Sequence, residues 1–418
     1  RWYDRDEAWR CKRDFVITGL QHRNQTGLIS TDLIDKLYKR PFRTSVSRLE
    51  QYASCPFAHF VRYGMRPAER KTFEVSAPDV GDLFHSAFQN LAEKIREDGV
   101  EWGDLDREKC DSMMDQVMDN LVAVHADGVF TSTHRYRYLV NQLKRVGRRS
   151  AWTLTQHIQA GEFRPLGYEM RFGRGGDLPA VEIVLEDGQK LYLEGRIDRA
   201  DIYEGSDGTY VRVIDYKTGR KTFDLSDAYH GLSLQLLVYL KALLGNSRAL
   251  RGAELRPAGI FYFRIDDPAV KSDTEIIEEI EKQIAKKLRM DGLVLRDINI
   301  VRAMDLEFEG SSSVIPVGLK RDGDFDSYST VLNTEEFNWM LEHIEGLMRE
   351  ISEEIIRGQA RIHPVMINQK KACDYCQYQA ICQFDQLFEN NRFRVLPQLR
   401  RDEVMIRISK PQLEGGQQ

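Results

Sequence analysis

The chain has 418 residues, of which 42 % are hydrophobic and 30 % charged, and its formal net charge is −5. These values exclude a disordered or fibrous chain and leave room for one large elaborated domain or two to three ordinary ones. They also exclude bulk positive charge as the route to nucleic acid, and the lack of a long apolar run excludes a membrane-spanning helix of ordinary length.

In chain order, the opening RWYDRDEAWRCKRDF is charged and lacks a secretory pattern, and a start on Arg1 reads as a piece of something longer. Residues 1–43 are mixed and polar, as expected for the end of an upstream region or a linker. In TSVSRLEQY, Ser47 with Glu50 three residues later predicts a capping box and a helix start. Residues 66–79, RPAERKTFEVSAPD, read as a loop. Val80, Leu83, Phe84, Ala87, Phe88, Leu91 and Ile95 then recur at amphipathic helical spacing, with His85 off that stripe on the flank of Gly81. Helical patterns continue to about 160, and from Gly128 to Gly161 there is no acidic residue. Within that stretch HRYRYLVNQLKRVGRR carries Arg135, Arg137, Lys144, Arg145, Arg148 and Arg149, with Tyr136 and Tyr138 interleaved. Such a mixture suits the phosphates and bases of a single strand, although a solvated helix face is the plainer alternative.

After 160 the texture becomes short, β-branched and aromatic. PLGYEMRFG, AVEIVLEDG, KLYLEGRIDRADIYEG and TYVRVIDYKTG predict an antiparallel meander of about four strands, with Asp187-Gly188 and Asp207-Gly208 as turns. A helix over 226–244, a buried strand over 257–265 and helices over about 274–290 and 334–358 follow. This order predicts an α/β fold with a sheet wrapped in helices rather than a doubly wound nucleotide fold. There is no P-loop, so any motor is expected elsewhere. The acidic segment TEIIEEIEK (274–282) is expected to face away from DNA or toward a protein partner. Residues 391–418, with Arg392, Arg394, Arg400 and Arg401, read as a basic C-terminal tail.

Two groups of residues carry chemistry. Asp215 and Lys217 lie two apart on one strand and so share a face, and Asp198 sits on the preceding strand of the hairpin. Two converging carboxylates make an oxygen-rich site for Mg2+ or Mn2+, and a neighbouring lysine stabilises developing negative charge. Alone, a D-x-K triplet reads as a strand-end salt bridge. The apolar VRVI before it, Thr-Gly after it and the second acid favour hydrolysis of a phosphodiester. Gln235 and Tyr239 follow at i, i+4 on one helix face. Of six cysteines, Cys373, Cys376 and Cys382 form C-x2-C-x5-C, a pattern of metal or redox chemistry rather than of a disulfide scaffold. Spacing does not separate zinc from iron–sulfur. Cys11 and Cys110 fit no pattern and read as ordinary buried thiols.

Asp198 in GRIDRAD, Asp215 and Lys217 in IDYKTG, Gln235 and Tyr239 in Q-x-x-x-Y, and Gly81 to His85 as G-x-x-x-H resemble the RecB-type PD-(D/E)XK nucleases. With Cys55 in SVSRLEQYASCPFAHF before these motifs and three cysteines after them, the chain resembles the iron-staple nucleases of AddB type, found in bacterial AddAB helicase–nucleases. The likeness covers about residues 44–390. It implies a restriction-endonuclease-like central mixed sheet flanked by helices, its ends clamped by Cys55, Cys373, Cys376 and Cys382 around a [4Fe-4S] cluster. It implies Mg2+ held by His85, Asp198, Asp215 and the backbone carbonyl of Tyr216, with Lys217 orienting the attacking water. Gln235 and Tyr239 would support Lys217 and the DNA strand. Glu169, on the strand before the acids, is a weaker candidate for a supporting carboxylate, with an exposed strand residue as the equal alternative. It also implies an AddA-type partner in a heterodimer, unwound single-stranded DNA as substrate, 5′-to-3′ degradation in the recombinational repair of double-strand breaks, and a bacterial cytoplasmic location. Two rivals are a stand-alone iron–sulfur exonuclease of the CRISPR-adaptation type, whose chains are much shorter, and a non-catalytic DNA-binding subunit stapled by a cluster or zinc.

Overall fold

The computed structural model describes residues 6–20, 24, 26–38, 40–68, 73–271, 276–388 and 390–409. The β-branched and aromatic runs form one mixed sheet of eight strands: β1 (Arg43–Ser45), β2 (Arg164–Phe172), β3 (Val181–Val184), β4 (Lys190–Gly205), β5 (Gly208–Lys217), β6 (Leu255–Arg264), β7 (Asp291–Leu295) and β8 (Val331–Leu332). Its path is β1-β4-β5-β6-β7-β8, with β2 and β3 both pairing with β4. The pairs β1/β4, β5/β6 and β7/β8 are parallel and the others antiparallel. This is the mixed α/β architecture expected, with one difference. The four predicted strands are not a simple meander, because the sixteen-residue β4 is long enough to take β3 on its first half and β2 on its second.

Burial follows from sheet position. β5 and β6 are central and apolar on both faces, so Val211, Val213, Ile214, Ile260, Phe261 and Phe263 are almost wholly buried. Three buried polar side chains interrupt this core. Arg199 on β4 and Arg212 on β5 are each 1 % exposed and both bond Asp201, which is 0 % exposed. Arg199 donates from Nε at 2.6 Å and Nη2 at 2.8 Å, and Arg212 from Nε at 2.9 Å. His157 packs nearby, and burial followed by the two guanidinium charges pushes its pKa down to about 3, so it is neutral.

The histidine helix, Ala77–Glu97, buries Leu83, Phe84, Ala87, Phe88, Leu91 and Ile95 as the spacing requires. It starts inside the segment expected as loop, because Ser76 and Asp79 form a reciprocal capping box with Pro78 in the first turn. The box expected at Ser47 and Glu50 does not form. The helix Val46–Ser54 has Ser45 at its N-cap without a side-chain bond, and Glu50 is used elsewhere. The single helix expected over 226–244 is two, Leu225–Tyr229 and Gln235–Gly245, broken where Gly231 takes φ +80. Gln235 therefore opens its helix.

Residues 391–409, expected as part of a basic tail, are folded in. Arg394–Val395 pairs with Val365–Ile367, and the helix Arg401–Ser409 buries Val404 and Met405 while Arg401 bonds Glu336 at 2.9 and 3.0 Å. The remaining tail, 410–418, lies outside the described residues. Cys110 is buried, but Cys11 is exposed on the helix Glu7–Leu20, which has no buried residue among those described. Among the described residues no helix is long and apolar enough to cross a membrane.

Breaking a buried ion group by removing one partner leaves uncompensated charge. Asp201→Ala strands two guanidinium groups at once and is expected to lower stability by about 3–5 kcal/mol in urea unfolding. A loss below about 1 kcal/mol, the range of an exposed pair, would show that the triad is not a buried electrostatic unit.

Candidate active site

The register of β4 against β5 builds the site. Arg199 pairs with Ile214, so the next step along the ladder sets Asp198 beside Asp215. There Asp198 Oδ2 accepts the backbone N–H of Tyr216 at 2.7 Å. Opposite, β2 pairs Tyr168 with Arg199 and Met170 with Ile197, which leaves Glu169 between them beside Asp198. Glu169 adopts φ +49, a left-handed conformation that costs energy for a residue with a side chain and cannot be seen in the sequence. From the histidine helix, His85 Nδ1 reaches Glu169 Oε1 at 3.2 Å and Asp198 Oδ2 at 3.4 Å. Ligand atoms of His85, Glu169 and Asp198 lie within 4.8 Å of one another.

Asp215 lies deeper. It is 0 % exposed; Lys217 Nζ pairs with its Oδ2, and its Oδ1 has no hydrogen-bond partner among the described residues. Burial, and then the Asp198 charge, push its pKa up to about 7 against the pull of Lys217. Burial alone would lower the pKa of His85, but Asp198 and Glu169 outweigh it and raise it to about 10. Protonated His85 thus carries positive charge between carboxylates, in the place where a metal ion would carry it. The atoms that lie within 4.8 Å of one another are those of His85, Glu169 and Asp198, and Asp215 is not part of that group. Two carboxylates and an imidazole so placed, beside the buried Asp215, fit a divalent cation that accepts oxygen and nitrogen donors.

Lys217 is held on three sides. Besides Asp215, its Nζ donates to Gln235 Oε1 at 3.2 Å and lies 5.7 Å from the Tyr262 ring centre. Gln235 Nε2 in turn donates to the Tyr239 hydroxyl at 2.9 Å, as their shared helix face requires. Three partners escape sequence reading. Glu50 bonds the start of the glutamine helix; Arg196 pairs with Glu169 Oε2 at 2.6 Å; Lys221 stands 5.0 Å over Tyr262. Arg196 and Lys221 flank the motifs GRIDRAD and IDYKTG, but neither spacing signals its contact.

The four cysteines Cys55, Cys373, Cys376 and Cys382 line one cavity of about 500 Å3. Cys55 ends the helix Val46–Ser54, and the other three lie between Lys370–Lys371 and Arg394–Val395, two strands of a small sheet that also holds Val365–Ile367. Burial raises the pKa of Cys55, and it raises Cys373 to about 12 and Cys382 to about 11, with nearby cysteines adding to the rise. Such thiols stay protonated at neutral pH unless a metal binds them.

The basic stretch is different from its sequence reading. Lys144 pairs with Asp119 (2.6 Å), Arg145 with Asp267 (2.7 Å), Arg148 with both oxygens of Asp115 (2.9 and 2.8 Å), and Arg149 with Asp267 and Glu281. Acids from other elements neutralise a run that has none of its own. Glu281 belongs to the acidic helix Ile277–Lys287, which faces this stretch instead of turning away; residues 274 and 275 of the expected segment lie outside the described residues. Arg135 and Arg137 are exposed, with no carboxylate partner among the described residues.

A sequence profile of the PD-(D/E)XK nuclease superfamily matches residues 43–383. The chain is 45 % identical over 98 % of its length to the B-type polypeptide of an ATP-dependent helicase/deoxyribonuclease from Alkaliphilus oremlandii. It is 38 % identical over 99 % of its length to the equivalent polypeptide of Thermoanaerobacter sp. strain X514, and 36 % identical over its full length to that of Clostridium acetobutylicum. It spans 36 % of the length of each of these relatives.

Metal binding must displace the proton shared by His85 and any proton on Asp215. Because the Asp215 carboxyl titrates near 7, protons compete with the metal increasingly as pH falls below that value. Mn2+ affinity measured by calorimetry is expected to rise from pH 6 to pH 8, with protons released on binding. An affinity flat across that range would separate Asp215 from the metal site.

Proposed function

The chain belongs to the PD-(D/E)XK nuclease superfamily, and from that we propose that it is the metal-dependent deoxyribonuclease module of an AddB-type helicase–nuclease subunit. The observation that carries this reading is a fully buried aspartate, Asp215, with an unpartnered oxygen beside Lys217 and next to the His85, Glu169 and Asp198 set. A structural strand-end salt bridge would lie in solvent and would need no second acid.

His85, Asp198 and Asp215 would hold the divalent cation, with Glu169 completing the carboxylate set. A cation there supplies Lewis acidity to the scissile phosphate. Lys217, fixed by Asp215 and Gln235, presents its ammonium to the attacking water and to the charge that builds on the phosphate. Tyr239 holds Gln235 in the orientation that accepts from Lys217. Arg196 pairs with one oxygen of Glu169 while the other is aimed at His85. Substrate enters as a single strand unwound by a motor outside this chain, in complex with an AddA-type partner, and is degraded 5′-to-3′ during double-strand-break repair. Arg135, Arg137 and the exposed Tyr138 offer phosphate and stacking contacts, and neither arginine is paired with an acid among the described residues.

For the cysteine site, tetrahedral zinc with bonds of about 2.3 Å brings sulfurs within about 4 Å of each other. Among the described residues no three cysteine sulfurs lie mutually within 4.8 Å, and the cavity between them has room for several atoms. The four-cysteine site is read as holding a [4Fe-4S] cluster rather than a single zinc ion on the resemblance of its Cys55 and C-x2-C-x5-C pattern to the iron-staple nucleases. The residues 44–390 then act as one stapled nuclease unit, with 1–43 leading into it.

Two outcomes are expected. Asp215→Ala should abolish Mg2+-dependent cutting of one end-labelled strand by the intact complex while DNA binding persists, and the label gives the polarity; unchanged cutting would reduce Asp215 to a structural acid. Protein purified without oxygen should carry about four iron atoms per chain and lose them in Cys376→Ser. One equivalent of zinc in place of iron would reverse the cofactor assignment.

A further inference from the structure

Glu50 lies outside every nuclease motif, and its carboxylate serves a helix remote in sequence. Its Oε1 accepts the N–H of Leu234 at 2.7 Å and of Gln235 at 3.1 Å. These are among the donors left without a partner at the start of the helix Gln235–Gly245, whose N-cap residue, Leu234, has no side chain able to cap it. A carboxylate there satisfies both and complements the helix dipole. Gln235 is thus held by its backbone through Glu50 and by its side chain between Lys217 and Tyr239.

The other end of the Glu50 helix reaches the cysteines. Cys55 directly follows the helix Val46–Ser54, and Arg394, on the strand pairing with Val365–Ile367, donates to the carbonyl of Ala53. Glu50 and Ser54 line a cavity of about 310 Å3, and its other wall includes Val365, Ile367, Lys371 and Ala372, the segment leading into Cys373. One helix therefore touches both the four-cysteine site and the support of the catalytic lysine.

We propose that Glu50 is a positioning residue: by capping the glutamine helix it sets Gln235 against Lys217, and through its helix it transmits the order of the four-cysteine site to that pair. The proposal rests on the nuclease reading above. Glu50 touches neither substrate nor metal, so its effect falls on the rate of the chemical step and not on DNA affinity.

The test uses the full-length protein in the complex with which it purifies. Glu50→Ala is expected to lower the single-turnover rate at saturating DNA and Mg2+ by about 10- to 100-fold, with DNA affinity unchanged. Glu50→Gln keeps an oxygen that accepts both N–H groups and is expected to restore the rate. Amide hydrogen exchange reads the cap without reference to activity: Leu234 and Gln235 should exchange faster in Glu50→Ala and not in Glu50→Gln. Cys376→Ser should speed exchange over 46–54 and 234–239, and adding Glu50→Ala to it should slow cutting no further. If Glu50→Ala fails to fold by circular dichroism, Glu50→Asp, one methylene too short to bond both amides, takes its place. A wild-type rate in the capless variant, unchanged exchange at 234–235, or a Glu50→Gln as slow as Glu50→Ala each overturns the proposal. Asp215→Ala is run alongside; if that variant cuts normally the nuclease reading fails, while the exchange data still decide whether Glu50 is the cap.

Discussion

The register of β4 against β5 is the constraint on which the site depends. Side chains alternate along a strand, so a slip of one residue would turn Asp198 and Asp215 to opposite faces. The buried Arg199–Asp201–Arg212 group opposes such a slip, since Asp201 and Arg212 are directly paired residues and any other register would leave charges buried without partners. One acid of the site, Asp198, and the acid of the lock, Asp201, lie three residues apart in one short segment, GRIDRAD. Catalytic geometry and strand pairing are thus specified by the same stretch of chain.

Around that register the site is arranged as competition for positive charge. Three carboxylates, Glu169, Asp198 and Asp215, come together with little solvent, and without a metal the charge is supplied by the protonated His85, by Lys217 and by Arg196. Burial nevertheless leaves Asp215 unsatisfied at one oxygen. A group that folding leaves unsatisfied in this way is costly in isolation and inexpensive once a cation binds, which is how affinity for a small hard ion is stored in a fold.

The basic helix shows the opposite outcome. Its sequence is free of acids, yet the helices Arg107–Val124 and Ile277–Lys287 and the loop residue Asp267 supply carboxylates to four of its six cations. Charge patterning along a chain counts only neighbours in sequence, whereas potential at a surface is set by neighbours in space. Of the six, only Arg135 and Arg137 at the N-terminal end of the helix keep an exposed charge without a carboxylate partner among the described residues.

Much of the fold was legible in the sequence, because strands and amphipathic helices write their period into the residues that must be buried. The β-branched runs of β2 to β6 and the apolar stripe of the histidine helix are of this kind. So were Asp198, Asp215, Lys217, Gln235 and Tyr239 as a set, since each lies in a short local pattern. The strand β7 and the helix Ile298–Met304 were not read, being short and without a clear period. Only the tertiary structure decided that Glu169 joins His85 and Asp198, through a left-handed backbone, and that Glu50 caps a distant helix in place of its own. It also decided that Gln235 begins a helix and that most of the basic run is neutralised. Each of these depends on the partner a polar group finds across long sequence separation, and hydrogen bonds and ion pairs, unlike hydrophobic burial, leave no periodic trace in the chain that makes them.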